Sequence, residues 1–253
     1  EHTGVNEVVM DPANPDILYA AAFQRRRHVF TYLGGGPNSG IYKSVDGGMT
    51  WDKANSGLPG VDKGRIGLSI SPANPDIIYA TVEAAQGFYK STDKGASWQK
   101  QCGFVTSGNY YQEIIADPVD AHTVYAMDTW MKISTDGGKS FKNVGEDFKH
   151  VDNHCIWIDP TYNQHILVGC DGGIYESWDR GKAWDFKANL PITQFYKVAL
   201  DNDFPFYHIY GGTQDNFSLG GPARVLTDHG IRNEEWFITH GGDGFESQVD
   251  PEN

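Results

Sequence analysis

The stretch Ser44-Val45-Asp46-Gly47-Gly48-Met49-Thr50-Trp51 decides the fold, because it recurs. Ser91–Trp98 reads STDKGASW, Ser134–Phe141 reads STDGGKSF, and Ser177–Trp184 reads SWDRGKAW. The starts at 44, 91, 134 and 177 are separated by 47, 43 and 43 residues. A second motif runs in phase with the first: DPANPDILYA from Asp11, SPANPDIIYA from Ser71, DPVDAHTVYA from Asp117 and DPTYNQHILVG from Asp159. Weaker echoes begin at Asp201 and Asp250. A period of this length, with turn residues at fixed places, is the signature of β-propeller blades.

Each period reads as four short strands. In the second, GRIGLSIS alternates apolar and small residues up to the PANPD turn. IIYATVE is β-branched and aromatic, GFYKS precedes the boxed turn, and SWQKQ follows it. The sequence predicts an all-β propeller of four-stranded antiparallel blades, in which radial closure protects the strand edges. Four complete blades, a fifth without the box from Asp201 to about Trp236, and the first strand of a sixth are expected. The whole of 1–253 reads as one propeller, incomplete, a part of something longer.

The totals agree. The chain has 253 residues with 30 glycines and 7 tryptophans, a composition suited to turns and strands. A formal net charge of −13 argues against nucleic acid as a partner. No run approaches the ~20 apolar residues of a membrane helix, so no membrane insertion is expected in this segment. The basic run Arg25-Arg26-Arg27-His28 reads as an exposed loop. Three cysteines do not make a disulfide framework; Cys155 and Cys170 flank one turn closely enough to be cross-strand neighbours, and two buried free thiols are an equal expectation there.

The box, Ser/Thr-x-Asp-x-Gly-x-x-Trp/Phe, resembles the Asp-box (BNR) repeat of sialidases, sortilin/Vps10 receptors, family 74 xyloglucanases and a photosystem II assembly factor. With DGGIYES, GGTQDN and GGDGF, the chain is most similar to bacterial glycosyl hydrolase-like and sortilin/Vps10-like members. The resemblance implies the fold, a secreted or cell-envelope location, and a polysaccharide or protein ligand, with a place in a larger assembly. It fixes no activity, because the repeat serves enzymes and receptors alike. A sialidase is disfavoured, since neither an arginine triad nor a strong Tyr–Glu pair is evident.

Identical turns in every blade cannot all be one active site. Asp46, Asp93, Asp136 and Asp179 are therefore read as structural acceptors of backbone N–H groups in their own turns. Function is expected at the opposite end of the blades, where innermost strands begin and the central loops converge. Seven residues before each "DP" turn stand Gly4, Gly64, Tyr110, Asp152, Gln194 and Asp243; five before stand Asn6, Ile66, Gln112, His154, Tyr196 and Phe245. The loops between second and third strands add Asp128, Asp171 and Asp215, and loops near His150 and His240 are expected on the same face. The ligand-binding set is thus Tyr110, Gln194, Tyr196, Asp215 and Asp243.

Three chemistries compete. A binding module would use these acids and aromatics to hold a glycan or a protein. A xyloglucanase-like glycoside hydrolase would use paired aspartates. In family 74 an aspartate leads a Gly-Gly-x-Tyr segment, and Cys170-Asp171-Gly172-Gly173-Ile174-Tyr175 places Asp171 there, with Asp152 as partner. No cofactor is expected beyond a divalent metal, for which His150, Asp152 and His154 at alternate positions offer imidazole and carboxylate ligands on one strand face.

Overall fold

A computed structural model describes residues 3–84, 86–108, 110–190 and 193–252. Its strands form five separate antiparallel sheets, each built from one sequence period. Blade one contains β1 (Thr3–Asp11), β2 (Asn14–His28), β3 (Thr31–Gly34), β4 (Gly40–Ser44) and β5 (Asp52–Lys53). Blade two contains β6 (Ile66–Ile70), β7 (Ile78–Val82), β8 (Gly87–Ser91) and β9 (Gln99–Cys102). Blade three is β10 (Ile114–Ala116), β11 (Val124–Ala126), β12 (Lys132–Ser134) and β13 (Lys142–Asn143). Blade four is β14 (Asn153–Ile158), β15 (Ile166–Cys170), β16 (Gly173–Ser177) and β17 (Asp185–Phe186). Blade five is β18 (Lys197–Leu200), β19 (His208–Gly212), β20 (Ser218–Pro222) and β21 (Phe237–His240). The first four blades lie in one compact unit, Glu1–Lys187, and the fifth in a second, Ala188–Asn253. No helix among the described residues is long and apolar enough to cross a membrane.

The apolar core of the first unit lies between blades. Tyr19, Ala21 and Ile41 of blade one pack on Ile66, Leu68, Ile70, Ile78 and Ala80 of blade two. Ile77, Tyr79 and Phe88 of blade two meet Ile114, Ala116 and Val124 of blade three, and Tyr125, Met127 and Ile133 of blade three meet Ile158, Ile166 and Val168 of blade four. Strand alternation sends one parity to each neighbour, so both faces of an inner blade are apolar. Each fully buried side chain of this size contributes roughly 1.5–3 kcal/mol. The "YA" tyrosines of the first two blades add a polar latch: Tyr19 Oη donates to Lys94 O and Tyr79 Oη to Ala121 O, both at 2.7 Å in the next blade.

The boxed turn is a closed hydrogen-bond circuit. Ser44 Oγ donates to Asp46 Oδ1 at 2.7 Å and accepts the Gly48 N–H at 2.9 Å. Asp46 Oδ1 accepts the Thr50 N–H, and Oδ2 the Thr50 hydroxyl at 2.6 Å. Asp93 with Ser97 and Asp136 with Ser140 repeat it. In the fourth box the hydroxyl position is Ala183, so Asp179 accepts backbone N–H from Lys182 and Ala183 and the hydroxyl of Ser177. Gly48, Gly95, Gly138 and Gly181 all have φ between 77° and 90°, which a side chain would strain. Hydrogen bonds from Thr50 and Ser140 lower the Asp46 and Asp136 carboxyls to about 2. The Ser97 bonds lower Asp93, and the Ala183 N–H lowers Asp179.

The circuit also clips the box to the "DP" turn. The N–H groups of Gly47, Lys94, Gly137 and Arg180 donate to Asp16, Asp76, His122 and Gln164 carbonyls at 2.8–3.1 Å. The box aromatic then fastens to the preceding blade. Trp98 Nε1 donates to Ala54 O, Trp184 Nε1 to Gly145 O, and Phe141 stacks on Phe104 at 4.0 Å. Trp51 bonds its own Gly48 O instead.

Two expectations need correction. Arg25–His28 is exposed, but it is strand rather than loop: Arg25, Arg26, Arg27 and His28 pair with Gly34, Leu33, Tyr32 and Thr31 in a hairpin that extends blade one. Residues 241–252 form no ladder, and Gly244 N–H bonds Thr213 O. Cys155 and Cys170 are free. Cys155 stands opposite Gly169 and Cys170 opposite Asn153, which puts the two thiols on opposite faces of the hairpin.

Candidate functional site

In the first unit, Asp152 and Asp171 come together at the end of the blades away from the boxes. Asp152 precedes β14 with φ 61°, and its N–H donates to Thr129 O at 2.9 Å. The Asp171 N–H donates to Asp152 O at 3.2 Å. Tyr111 Oη donates to Asp152 Oδ1 at 2.6 Å, and His154 Nε2 lies 2.9 Å from Asp171 Oδ1. The Tyr111 and His154 rings stack at 5.2 Å, so the two carboxylates hang from one aromatic pair. Burial, then the Asp152 bond, push the Tyr111 phenol up, which keeps it a donor. Tyr110 is 75% exposed beside Tyr111, and Trp130 is also exposed.

The three groups offered for a metal do not converge. The left-handed turn at Asp152 breaks the alternation that would align His150, Asp152 and His154, and β14 begins only at Asn153. His150 Nδ1 contacts Val151 O, Asp152 holds Tyr111, and His154 holds Asp171. Among the described residues, ligand-type atoms come within 4.8 Å of one another at Asp201, Asp203 and His208 of the second unit. There the His208 Nδ1 is already 2.8 Å from Asp201 Oδ2, in a turn where the backbone N–H groups of Asp203 and His208 bond Asp201.

A buried ion network fixes Asp152 from behind. The Lys149 side chain is fully buried. Its ammonium donates to Glu146 Oε1 at 3.1 Å, to His150 O at 2.8 Å and to Asn153 Oδ1, and sits 5.3 Å from the Trp184 ring centroid. Asn153 Nδ2 donates to Glu146 Oε1 and to the Asp128 and Thr129 carbonyls. Such a network is stable only when its charges are paired, and removing one partner is costly.

The same end of the first unit carries a second polar group that counting seven and five residues back passes over. Glu7 and Glu113 stand four residues before their "DP" turns, with Gly67 between them in blade two. Asn6 bulges out of β1, so Asn6 Nδ2 donates to Ile66 O and Glu7 Oε2 accepts the Leu68 N–H at 2.6 Å. Arg65 Nη2 pairs with Glu113 Oε1 at 2.7 Å, and the Arg65 N–H donates to Glu83 Oε2. Gly67 is required: a Cβ there would lie 1.6 Å from Gln112 O. Gln112 itself is buried with φ 150° and an unpartnered Nε2, and Glu113 Oε2 is buried without a partner. Backbone strain and unsatisfied polar atoms concentrate at functional sites. Burial, opposed by the Leu68 N–H and reinforced by the Glu113 charge, raises the Glu7 carboxyl to about 7.

The second unit holds the remaining expected residues. Asp243 Oδ1 accepts the Asp215 N–H at 2.8 Å, and Asp215 has φ 63°. Tyr196 Oη donates to Gln214 Oε1 at 2.5 Å, and its ring lies 4.7 Å from Phe245. Gln194 is exposed ahead of β18. A cavity of about 540 Å³ is lined by Tyr210, His240, Asp243, Phe245, Glu246 and Asp250, among others. Lys197 and Glu246 also stand four residues before their turns and pair at 2.6 Å.

No family model matches the chain. It is 32% identical over 266 residues to a xyloglucanase of Hypocrea jecorina, covering 97% of this chain and 29% of that enzyme. It is 27% identical over 238 residues to xyloglucanase Xgh74A of Acetivibrio thermocellus, covering 80% and 27%. The chain therefore spans less than a third of the length of these relatives. Among solved structures it is similar to the GH74 xyloglucanase from Xanthomonas campestris (TM-score 0.55, 18% identity, 82% of this chain and 34% of that one). The Niastella koreensis GH74 enzyme gives TM-score 0.55 at 18% identity, with 94% and 38% covered. The β-propeller domain of Cps50 (Swd1) from Myceliophteria thermophila gives 0.50 at 10%, with 91% and 70% covered. These structural likenesses define the fold class, a β-propeller with partial coverage of the larger GH74 proteins.

Proposed function

We propose that this chain is part of a secreted, Asp-box, glycoside hydrolase-like propeller that binds a β-glucan of the xyloglucan class and cleaves it at the end of the blades opposite the boxes. The meeting of Asp152 and Asp171 beside one Tyr111–His154 stack supports this reading, because hydrolysis of a glycosidic bond uses a pair of carboxyl groups that flank the bond to be broken. The similarity to xyloglucanases along nearly the whole chain supports the substrate class. Exposed Tyr110 and Trp130 supply faces on which sugar rings stack. In the second unit, the cavity lined by Asp243 and Phe245, with Asp215 bonded to Asp243 and Tyr196 packed on Phe245, serves together with Gln194 as a further ligand-binding region. That all five blades belong to one propeller is part of the same proposal.

The test is release of reducing ends by the full-length protein from a panel of β-glucans. Xyloglucan should be cleaved and Asp171→Asn should abolish cleavage; an inert wild type on every glucan sinks the hydrolase reading. A second reading, the sortilin-like one, gives the chain a protein partner in a larger assembly. The hairpin tip Val29–Phe30, more than 90% exposed at Phe30, favours it. Loss of a co-purifying protein in Phe30→Ser, with glucan cleavage intact, would support that second role.

A further inference from the structure

One charged patch takes no part in the chemistry above. Arg25, Arg26, Arg27 and His28 stand in succession in a chain of net charge −13. Arg65, Arg180 and Arg232 each meet a carboxylate. Among the described residues, no ion pair or hydrogen bond engages the side chain of Arg25, Arg26 or Arg27, and all three are exposed. We propose that the β2–β3 ribbon binds an acidic polysaccharide, whose sugar carboxylates pair with Arg25 and Arg27 and whose ring lies on Tyr32. The inference rests on the glycan-binding reading above and adds to it a second, charged class of glycan, bound away from the aspartates.

Register gathers these groups on one face. β1 begins at Thr3, opposite Gln24, and β2 runs on for four more residues paired with β3. Arg25 lies opposite Gly34 and Arg27 opposite Tyr32, so these four share one side of the ribbon. Arg26 opposite Leu33, and His28 opposite Thr31, share the other. The Arg25 guanidinium carbon is 5.9 Å from the Tyr32 ring centroid. The bare Gly34 makes room for that ring, since a Cβ there would lie 2.7 Å from Tyr32 Cε1. One aromatic ring thus stands between two arginines that are about 7 Å apart along the strand. A guanidinium takes a planar carboxylate through two parallel N–H bonds, and an aromatic face takes the ring that carries it. The base of the ribbon is fixed: the Gly35 N–H donates to Gln24 O, and the Gln24 N–H to Ser39 Oγ, both at 2.9 Å.

Length decides whether the acidic body cancels the attraction. Four residues carry the Val29–Phe30 turn about 13 Å beyond the Thr3–Gln24 pair, farther than the Debye length of about 8 Å at physiological salt. A single polyanionic chain can therefore meet the arginines outside the field of the other carboxylates. A nucleic-acid duplex, charged on every side, would be pressed against that field. One face of a four-residue ribbon is also far smaller than the roughly 800 Å² per partner of a stable protein interface. It matches the width of one extended polymer.

The experiment titrates the full-length protein with polygalacturonate, its methyl ester, polyglutamate and single-stranded DNA by calorimetry at several salt concentrations, beside xyloglucan cleavage. Wild type should bind polygalacturonate, more weakly as salt rises, and should lose binding when the carboxylates are esterified. Arg25→Gln and Arg27→Gln should each weaken binding roughly 3-fold and together roughly 10-fold. Tyr32→Ala should weaken it roughly 5-fold. Arg26→Gln, on the opposite face, should cost under about 2-fold. These side chains are exposed, so the fold and xyloglucan cleavage should persist in every variant. A wild type that cleaves xyloglucan but does not bind polygalacturonate overturns this site alone. Neither binding nor cleavage overturns it together with the glycan reading, whereas binding without cleavage supports the site and removes the hydrolase. Equal losses in Arg26→Gln and Arg27→Gln also overturn it, as unspecific charge. So does polyglutamate or DNA bound as tightly as polygalacturonate, which would make the ribbon a site for acidic peptide or nucleic acid.

Discussion

At the box end of the first four blades the same aspartate makes nearly the same bonds four times; at the opposite end the groups change from blade to blade, with no one residue repeated in all four. The box carboxylates are exposed or half-buried, engaged by their own turns, and held below the usual carboxylate range. The opposite end has a left-handed aspartate, a strained glutamine, buried oxygens without partners and a glutamate held well above that range. Repetition marks what every blade needs to close, and divergence marks what only one place in the molecule needs to do.

The comparison is broken most directly through the aromatics. Trp98 is 3% exposed between blades one and two, whereas Trp51, in the same box position, is 37% exposed on its own turn. Trp98→Ala should cost about 3–5 kcal/mol in denaturant unfolding and Trp51→Ala under about 1 kcal/mol. Equal losses would mean that the box aromatic does not work by fastening blades.

The next effect separates the two ends by pH. Glu7 binds its proton more tightly folded than unfolded, so its contribution to stability is full below about 4.5 and falls as pH rises through about 7. Glu7→Gln should therefore remove this decline and be the more stable protein at pH 8, by roughly 2–3 kcal/mol. Box aspartates have the reverse sign. Asp136 is depressed from 3.8 to about 2, so its contribution is present above about 4 and is lost as pH falls from there to about 2. Because it is exposed, Asp136→Ala should cost only about 1 kcal/mol at pH 7. Thermal melts of both variants across pH 2–9 read the two slopes. The smallest effect is a gain: Ala183→Ser restores the hydroxyl missing from the fourth box and should add a few tenths of a kcal/mol.

The blade architecture was legible because turn chemistry repeats. The spacing of the boxes and the Pro-Asn-Pro turns placed β6 to β9 almost residue for residue. Asp152 with Asp171 was legible through the same ruler. Glu7, Glu113 and Arg65 were not, because the count followed positions seven and five before the turn and these lie at four and six. Their meeting depends on the Asn6 bulge and on Gly67 admitting the Gln112 carbonyl, neither of which has a sequence period. Lys149 was hidden for another reason: a lysine in a polar loop reads as solvated, and only the packed structure buries it.

The most direct test sets one carboxylate from each end against the other. Reducing-end release from xyloglucan by the full-length wild type should be abolished in Asp171→Asn and kept, at temperatures below its melting point, in Asp136→Ala. Release that survives Asp171→Asn, or that disappears in folded Asp136→Ala, would contradict the division of labour between the two ends.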